Sequence, residues 1–158
     1  MVALARGGRP GGVHAPGRRL LVAARGRPGP EALRIILAAA VRLFREEPGG
    51  PLMRALAADA QSDPEIARAL REQWLAPRRA VTAEVLRRGV ERGELRPGLD
   101  PAVTIDLLFA PVYYRLLFTH EPLDEAFADR LLEQALAGIA APGNSQGQVR
   151  ADSERTVQ

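Results

Sequence analysis

The 158-residue chain contains no cysteine, and all 22 of its cationic Lys/Arg positions are arginine. Without thiols, disulfides, thiolate zinc sites and cysteine nucleophiles are excluded. Between the two ends, Pro30 to Ala141, there is a single histidine, His120, and a single serine, Ser62. A Ser-His-Asp hydrolase would have to be assembled from those two residues, and Ser62 sits where a helix cap is expected. Aromatic residues make up only 4% of the chain. No run alternates apolar and polar residues as a strand would, so no glycine-rich phosphate loop can follow a strand. No uninterrupted apolar run approaches the roughly 20 residues of a membrane span. No catalytic centre, cofactor or metal site is expected, and the protein is expected to be soluble and cytoplasmic, with no membrane partner.

What is present is unevenly distributed. The net charge is +3, yet Arg6, Arg9, Arg18, Arg19, Arg25 and Arg27 all precede the first acid, Glu31. The first thirty residues therefore carry +6 and the remainder −3, so the high pI of about 10.4 describes the tail. Residues 1–29 mix those arginines with Gly7, Gly8, Gly11, Gly12, Gly17, Gly26 and Gly29 and with Pro10, Pro16 and Pro28. Such a stretch loses much backbone entropy on ordering and has little to bury, so it is expected to be a disordered tail. Its one apolar run, Leu20 to Ala24, is shorter than the roughly 7–15 residues of a signal-peptide core. Residues 142–158 are polar and are expected to be a second disordered tail, leaving 30–141 as the one folded domain.

Within 30–141 the periodicity is helical throughout. Leu33, Ile36, Leu37, Ala40, Val41 and Phe44 form one apolar stripe, ended by Pro48-Gly49-Gly50-Pro51. Leu52, Met53, Leu56, Ala57 and Ala60 make a shorter helix. Ser62-Asp63-Pro64-Glu65 starts another, with Ser62 read as capping material. That helix meets Pro77, and a kink or break is expected near Leu75 because proline removes one hydrogen bond and crowds the preceding turn. Gly93 and Pro97-Gly98 stop it. Asp100-Pro101 then opens a helix whose only charges up to Thr119 are Asp106 and Arg115. The expected fold is all-α, with about five helices.

The last two helices carry more apolar surface than one core needs, and a helix apolar all round must be buried all round. The implied assembly is a homodimer in which they form a four-helix bundle. The interface is expected at Leu108, Val112, Leu116 and Leu117 of one helix and at Phe127, Leu131, Leu132 and Leu136 of the other. His120, Glu121 and Asp124 lie close together, but Pro122 intervenes and Asp124 is needed as a cap, so an exposed turn is expected there. Arg78-Arg79 and Arg87-Arg88 share their helix with Glu72, Glu84, Glu91 and Glu94 and read as an ion-paired surface.

The order of features from Asp63 to Leu136, DPEIARALREQWLAPRRAVTAEVLRRGVERGELRPGLDPAVTIDLLFAPVYYRLLFTHEPLDEAFADRLLEQAL, resembles the C-terminal ligand-binding and dimerisation domain of tetracycline-repressor (TetR) family transcription regulators. It runs from a proline-interrupted helix with APRR at its middle to an RGEL exit, a capped LDPA start and a nearly charge-free helix. The resemblance implies a homodimer and an effector pocket inside the helical body, lined by Met53, Leu56, Trp74 and one or both of Tyr113 and Tyr114. The scarcity of charge there points to a small apolar or aromatic effector. The family places a helix-turn-helix before this domain, where this sequence has its Gly/Arg/Pro tail. A misassigned gene start, a frameshift, or a truncated partner that senses a ligand or titrates a full-length relative would each account for that. By itself the tail is expected to give only weak, salt-sensitive phosphate contacts with DNA. The alternative reading is a structural helical dimerisation module with no ligand.

Overall fold

The structure, a computed structural model, describes Ala24 and residues 26–139. The predicted tail over 1–29 falls largely outside the described residues, and that over 142–158 entirely so. The described end of the first tail is held in place. Ala24 is helical and buried, Arg92 donates to the Arg27 carbonyl at 2.9 Å, and the Gly29 N–H donates to the Glu94 carboxylate.

Six α-helices and no strand make up the described residues. They are α1 (Gly29–Arg45), α2 (Gly49–Asp59), α3 (Pro64–Ala69), α4 (Ala76–Glu91), α5 (Pro101–Phe118) and α6 (Glu125–Ile139), with a π-helical turn, Leu70–Leu75, joining α3 to α4. The α1 stripe buries Leu33, Ile36, Leu37, Val41 and Phe44, as its spacing requires. This helix packs against α2, α4, α5 and α6 and is the central element of the core. Pro48-Gly49-Gly50-Pro51 not only ends α1 but also starts the next helix. Gly49, Gly50 and Pro51 form the first turn of α2, where missing amide donors cost nothing because those positions have no intrahelical acceptor.

Two local readings are revised. Ser62 does not cap α3: its hydroxyl donates to the Asp59 carbonyl at 3.3 Å, and the cap is Asp63, whose carboxylate accepts from the Glu65 and Ile66 amides at 2.8 and 3.2 Å. The distortion expected near Leu75 is there, but as a widening of the helix and not a break. The chain widens to π geometry over Leu70–Leu75, and the Ala76 amide reaches back to the Arg71 carbonyl, five residues earlier. Widening the turn just ahead of Pro77 makes room for its ring, so one helical path continues from Pro64 to Glu91.

The RGEL exit has a packing reason. Gly93 sits at φ 70°, a left-handed conformation that costs most residues free energy. This turns the chain so that the Glu94 and Leu95 amides both donate to the Gly89 carbonyl, at 2.9 and 3.1 Å. The Leu95 side chain then folds back over α4, and a Cβ at Gly89 would lie 2.7 Å from its Cδ1. Helix α5 opens at Asp100, whose carboxylate accepts from the Ala102 and Val103 amides at 2.8 and 3.1 Å. Asp100→Ala is expected to cost about 1 kcal/mol of stability, measurable by urea unfolding, because both amides lose their acceptor.

The last two helices use their apolar surface differently from the sequence expectation. Thr104, Ile105, Leu108, Val112 and Leu116 of α5 face the core. On α6, capped by Asp124, which accepts from the Phe127 amide at 2.7 Å, both neighbouring stripes pack on the same protomer, with Leu131, Ala135 and Leu136 left half-exposed. Phe127, Ala128 and Leu132 are buried, and Leu131, Ala135 and Leu136 are packed against the core. Leu108, Val112, Leu116, Phe127 and Leu132, expected at a dimer interface, therefore have almost no surface left to give a partner. Of the expected interface residues, Leu117 is exposed. The unspent apolar surface lies on the opposite side of α5, at Val103, Leu107, Tyr114, Leu117 and Phe118, which fall on one arc of the helix. Among the described residues α5 alone could cross a membrane by length and composition, but its inner face is packed on α1, α4 and α6.

Candidate functional site

A cavity of about 1160 Å³ opens between α1, the π turn with α4, and α5. Its floor is a cluster of three rings. Phe44 stacks on Trp74 with centroids 6.2 Å apart and meets Tyr113 at 5.4 Å and 60°. The Trp74 indole N–H donates to the Tyr113 hydroxyl at 3.1 Å, so the polar tips of both rings are engaged with each other. The π turn ahead of Pro77 carries Trp74, placing a functional ring on a widened segment of helix. Burial raises the Tyr113 hydroxyl above its usual range, with the Trp74 bond and the nearby Arg78 charge acting the other way.

Two cations stand on the α4 wall. The Arg78 guanidinium carbon lies 3.5 Å from the Trp74 ring centroid, and one of its N–H groups donates to the Trp74 carbonyl at 3.0 Å. Arg79 is ion-paired with Asp106 of α5 and also donates to the Ala102 carbonyl at 3.3 Å. Thr82, buried on the same wall, satisfies its hydroxyl by donating to the Arg78 carbonyl at 3.1 Å. The rest of the wall is almost wholly apolar: Ile36, Ala39, Ala40 and Leu43 of α1 and Val103, Leu107, Phe109, Ala110, Leu117 and Phe118 of α5. Six of the seven exposed large apolar residues among those described, 37–65% exposed, belong to this wall. The mouth of the cavity and the free apolar face of the protomer are thus the same surface.

Of the residues singled out in the sequence, Trp74, Tyr113 and Tyr114 line the cavity. Tyr114 sits at its mouth against Phe118 and His120, at 5.0 and 4.6 Å. Met53 is buried in the core and Leu56 is half-buried, and α2 supplies nothing to the wall. Phe44 and the α1 alanines were not expected in the wall, and Arg78, expected on an ion-paired surface, instead lies over Trp74. The alanines carried a readable signal: Ala38-Ala39-Ala40 flanks a stripe of large residues, and small side chains there leave volume unfilled. Arg78 carried none, because it shares a helix surface with arginines that are plainly solvated.

The other clusters resolve into structure. Asp124 is a cap and His120 packs on Tyr114, and no metal-competent group of His, Asp and Glu occurs among the described residues. Arg87 and Arg88 are ion-paired with Glu84, and Arg87 also with Glu91. These bonds hold the Glu84 carboxyl down at about 2. A depressed carboxylate stabilises the fold above its unfolded value and loses that contribution as pH falls through the folded one, here between about 4.5 and 2. The Glu84 side chain remains partly exposed, so salt screens the effect.

The described residues thus form an all-helical body around an aromatic-floored, mostly apolar cavity, with no catalytic constellation among them. Residues 31–135 match the family described as tetracyclin repressor-like, C-terminal domain. The chain belongs to that family. It is 34% identical over 92 residues to the HTH-type transcriptional regulator YdeS of Bacillus subtilis (strain 168), a match covering 58% of this chain and 46% of that protein. The crystal structure of the TetR family transcription regulator SCO0332 superposes with a TM-score of 0.67 at 37% identity, over 73% of this chain and 63% of that one. The chain thus spans about half the length of the curated relative it matches. Both proteins are named as transcription regulators.

Proposed function

We propose that this chain is the effector-sensing and dimerisation domain of a tetracycline-repressor-like transcription regulator. The observation that carries this reading is the cavity of about 1160 Å³ floored by Phe44, Trp74 and Tyr113. Dimerisation alone could be served by the exposed arc of α5, whereas this recess reaches beyond that arc to the buried Phe44 and the half-buried Trp74 and Tyr113. A small, largely apolar molecule occupies it. Two copies pair across the outward arc of α5, where Val103, Leu107, Tyr114, Leu117 and Phe118 await a partner, because monomers rarely leave large contiguous apolar patches in water. The same residues rim the cavity, so an effector that fits one arrangement of the pair better than another shifts the populations of the two. DNA is read by a helix-turn-helix outside the 31–135 match, as in the family resembled. In that arrangement effector binding would change the separation of two such heads.

Filling the cavity tests the first half of this. Ala39→Phe, on the α1 wall, is expected to leave the helical content unchanged and to weaken binding of an apolar aromatic probe at least about 10-fold. Quenching of Trp74, the only tryptophan, reports the binding. Equal quenching in the filled variant and the parent protein would return the chain to the reading of a packing module.

A further inference from the structure

The cavity is not electrically neutral. Among its lining residues only Arg78, Arg79 and Asp106 carry formal charge at neutral pH, and Arg79 is neutralised by Asp106. Arg78 has no carboxylate within ion-pair reach among the described residues. Its contacts are the face of Trp74 and the Trp74 carbonyl, both of which solvate a cation without cancelling its charge. Burial lowers its proton affinity, with Tyr113 acting weakly the other way, and an arginine so placed remains charged. Beside it the Tyr113 hydroxyl already accepts from Trp74, leaving its own O–H to donate.

A neutral apolar guest would cover this cation and leave it without a counter-charge, which is costly. A dianion would bring one charge too many. We propose that the cavity selects a monoanionic amphiphile, an alkyl or aromatic carboxylate, whose carboxylate is held by Arg78 and the Tyr113 hydroxyl while its apolar body lies along α5. The geometry suits that headgroup, since guanidinium presents two parallel N–H donors to a carboxylate. This inference rests on reading the cavity as an effector site, and its experiment separates the two.

The experiment measures, by isothermal calorimetry at pH 7.5, the affinities of 4-hexylbenzoate and its neutral counterpart 4-hexylbenzamide for the full chain. The benzoate is expected to bind about 10- to 100-fold more tightly, the range set by charge-assisted hydrogen bonds. In Arg78→Gln that preference is expected to fall to within about 3-fold, the benzoate losing affinity and the benzamide, which no longer covers an unpaired cation, gaining some. Arg78→Lys, which keeps the charge but loses the fork, is expected to retain part of it. If Arg78 served only to hold the π turn through the Trp74 carbonyl, Arg78→Gln would weaken both ligands alike and Arg78→Lys would not restore the difference. Equal affinities for the two probes in the parent protein overturn the carboxylate inference and leave the effector reading standing. Binding of neither overturns both. Should Arg78→Gln not fold, the parent ratio and Tyr113→Phe, expected to reduce the ratio several-fold, decide the matter.

Discussion

Leu107→Glu is expected to give a folded monomer, and Leu132→Glu no folded protein at all. Both leucines lie on the apolar pair of helices that ends the domain, where the sequence reading placed Leu132 at the interface and did not single out Leu107. Leu107 is 64% exposed in the protomer, so a charge there meets water and changes stability by no more than about 0.5 kcal/mol. In a dimer built on the outward arc of α5, the same carboxylate would be buried against apolar side chains and would cost about 2–5 kcal/mol, loosening the pair at least 30-fold. Leu132 is 0% exposed. A carboxylate at that position must be desolvated inside the protomer, at more than about 4 kcal/mol, out of a total stability of about 5–15 kcal/mol. Sedimentation velocity at micromolar concentration, with circular dichroism melting of each variant, reads both outcomes. A Leu107→Glu variant that sediments as the parent dimer would place the interface elsewhere, and a parent protein that is monomeric would remove it.

Phe44→Ala has the second largest expected effect, about 3–5 kcal/mol lost from stability. The ring is buried, ends the α1 stripe and touches both Trp74 and Tyr113. Aromatic pairs of this kind contribute beyond their buried area, so removing one ring of three releases the other two. Chemical denaturation followed by Trp74 fluorescence measures the loss, and the emission should shift to longer wavelength as water reaches the indole. A loss below about 1 kcal/mol would mean that the three rings do not act as the floor of the site.

The α1 stripe, the all-helical class, the Asp100 and Asp124 caps and the glycine-marked exit of α4 were legible in the sequence. Each depends on residues a few positions apart, and helix periodicity and capping are local physics. The aromatic trio of Trp74, Tyr113 and Tyr114 was legible as chemistry, since rings with polar tips are uncommon in this chain. Its partner Phe44 was not, because a phenylalanine closing an apolar stripe reads as core, which it also is.

Two decisions belonged to tertiary structure alone. The first was which face of α5 remains free. A helix apolar on every side carries no internal mark of its inner face, and only the packing of α1, α4 and α6 against Leu108, Val112 and Leu116 leaves Val103, Leu107 and Phe118 outside. The second was which of the two cavity arginines stands unneutralised. Arg78 and Arg79 are neighbours in sequence with identical side chains, but the turn of 100° between successive helical residues aims Arg79 at Asp106 on another helix and lays Arg78 over Trp74. Ion pairing is set by distances between segments far apart in the chain, and those distances exist only once the helices have packed.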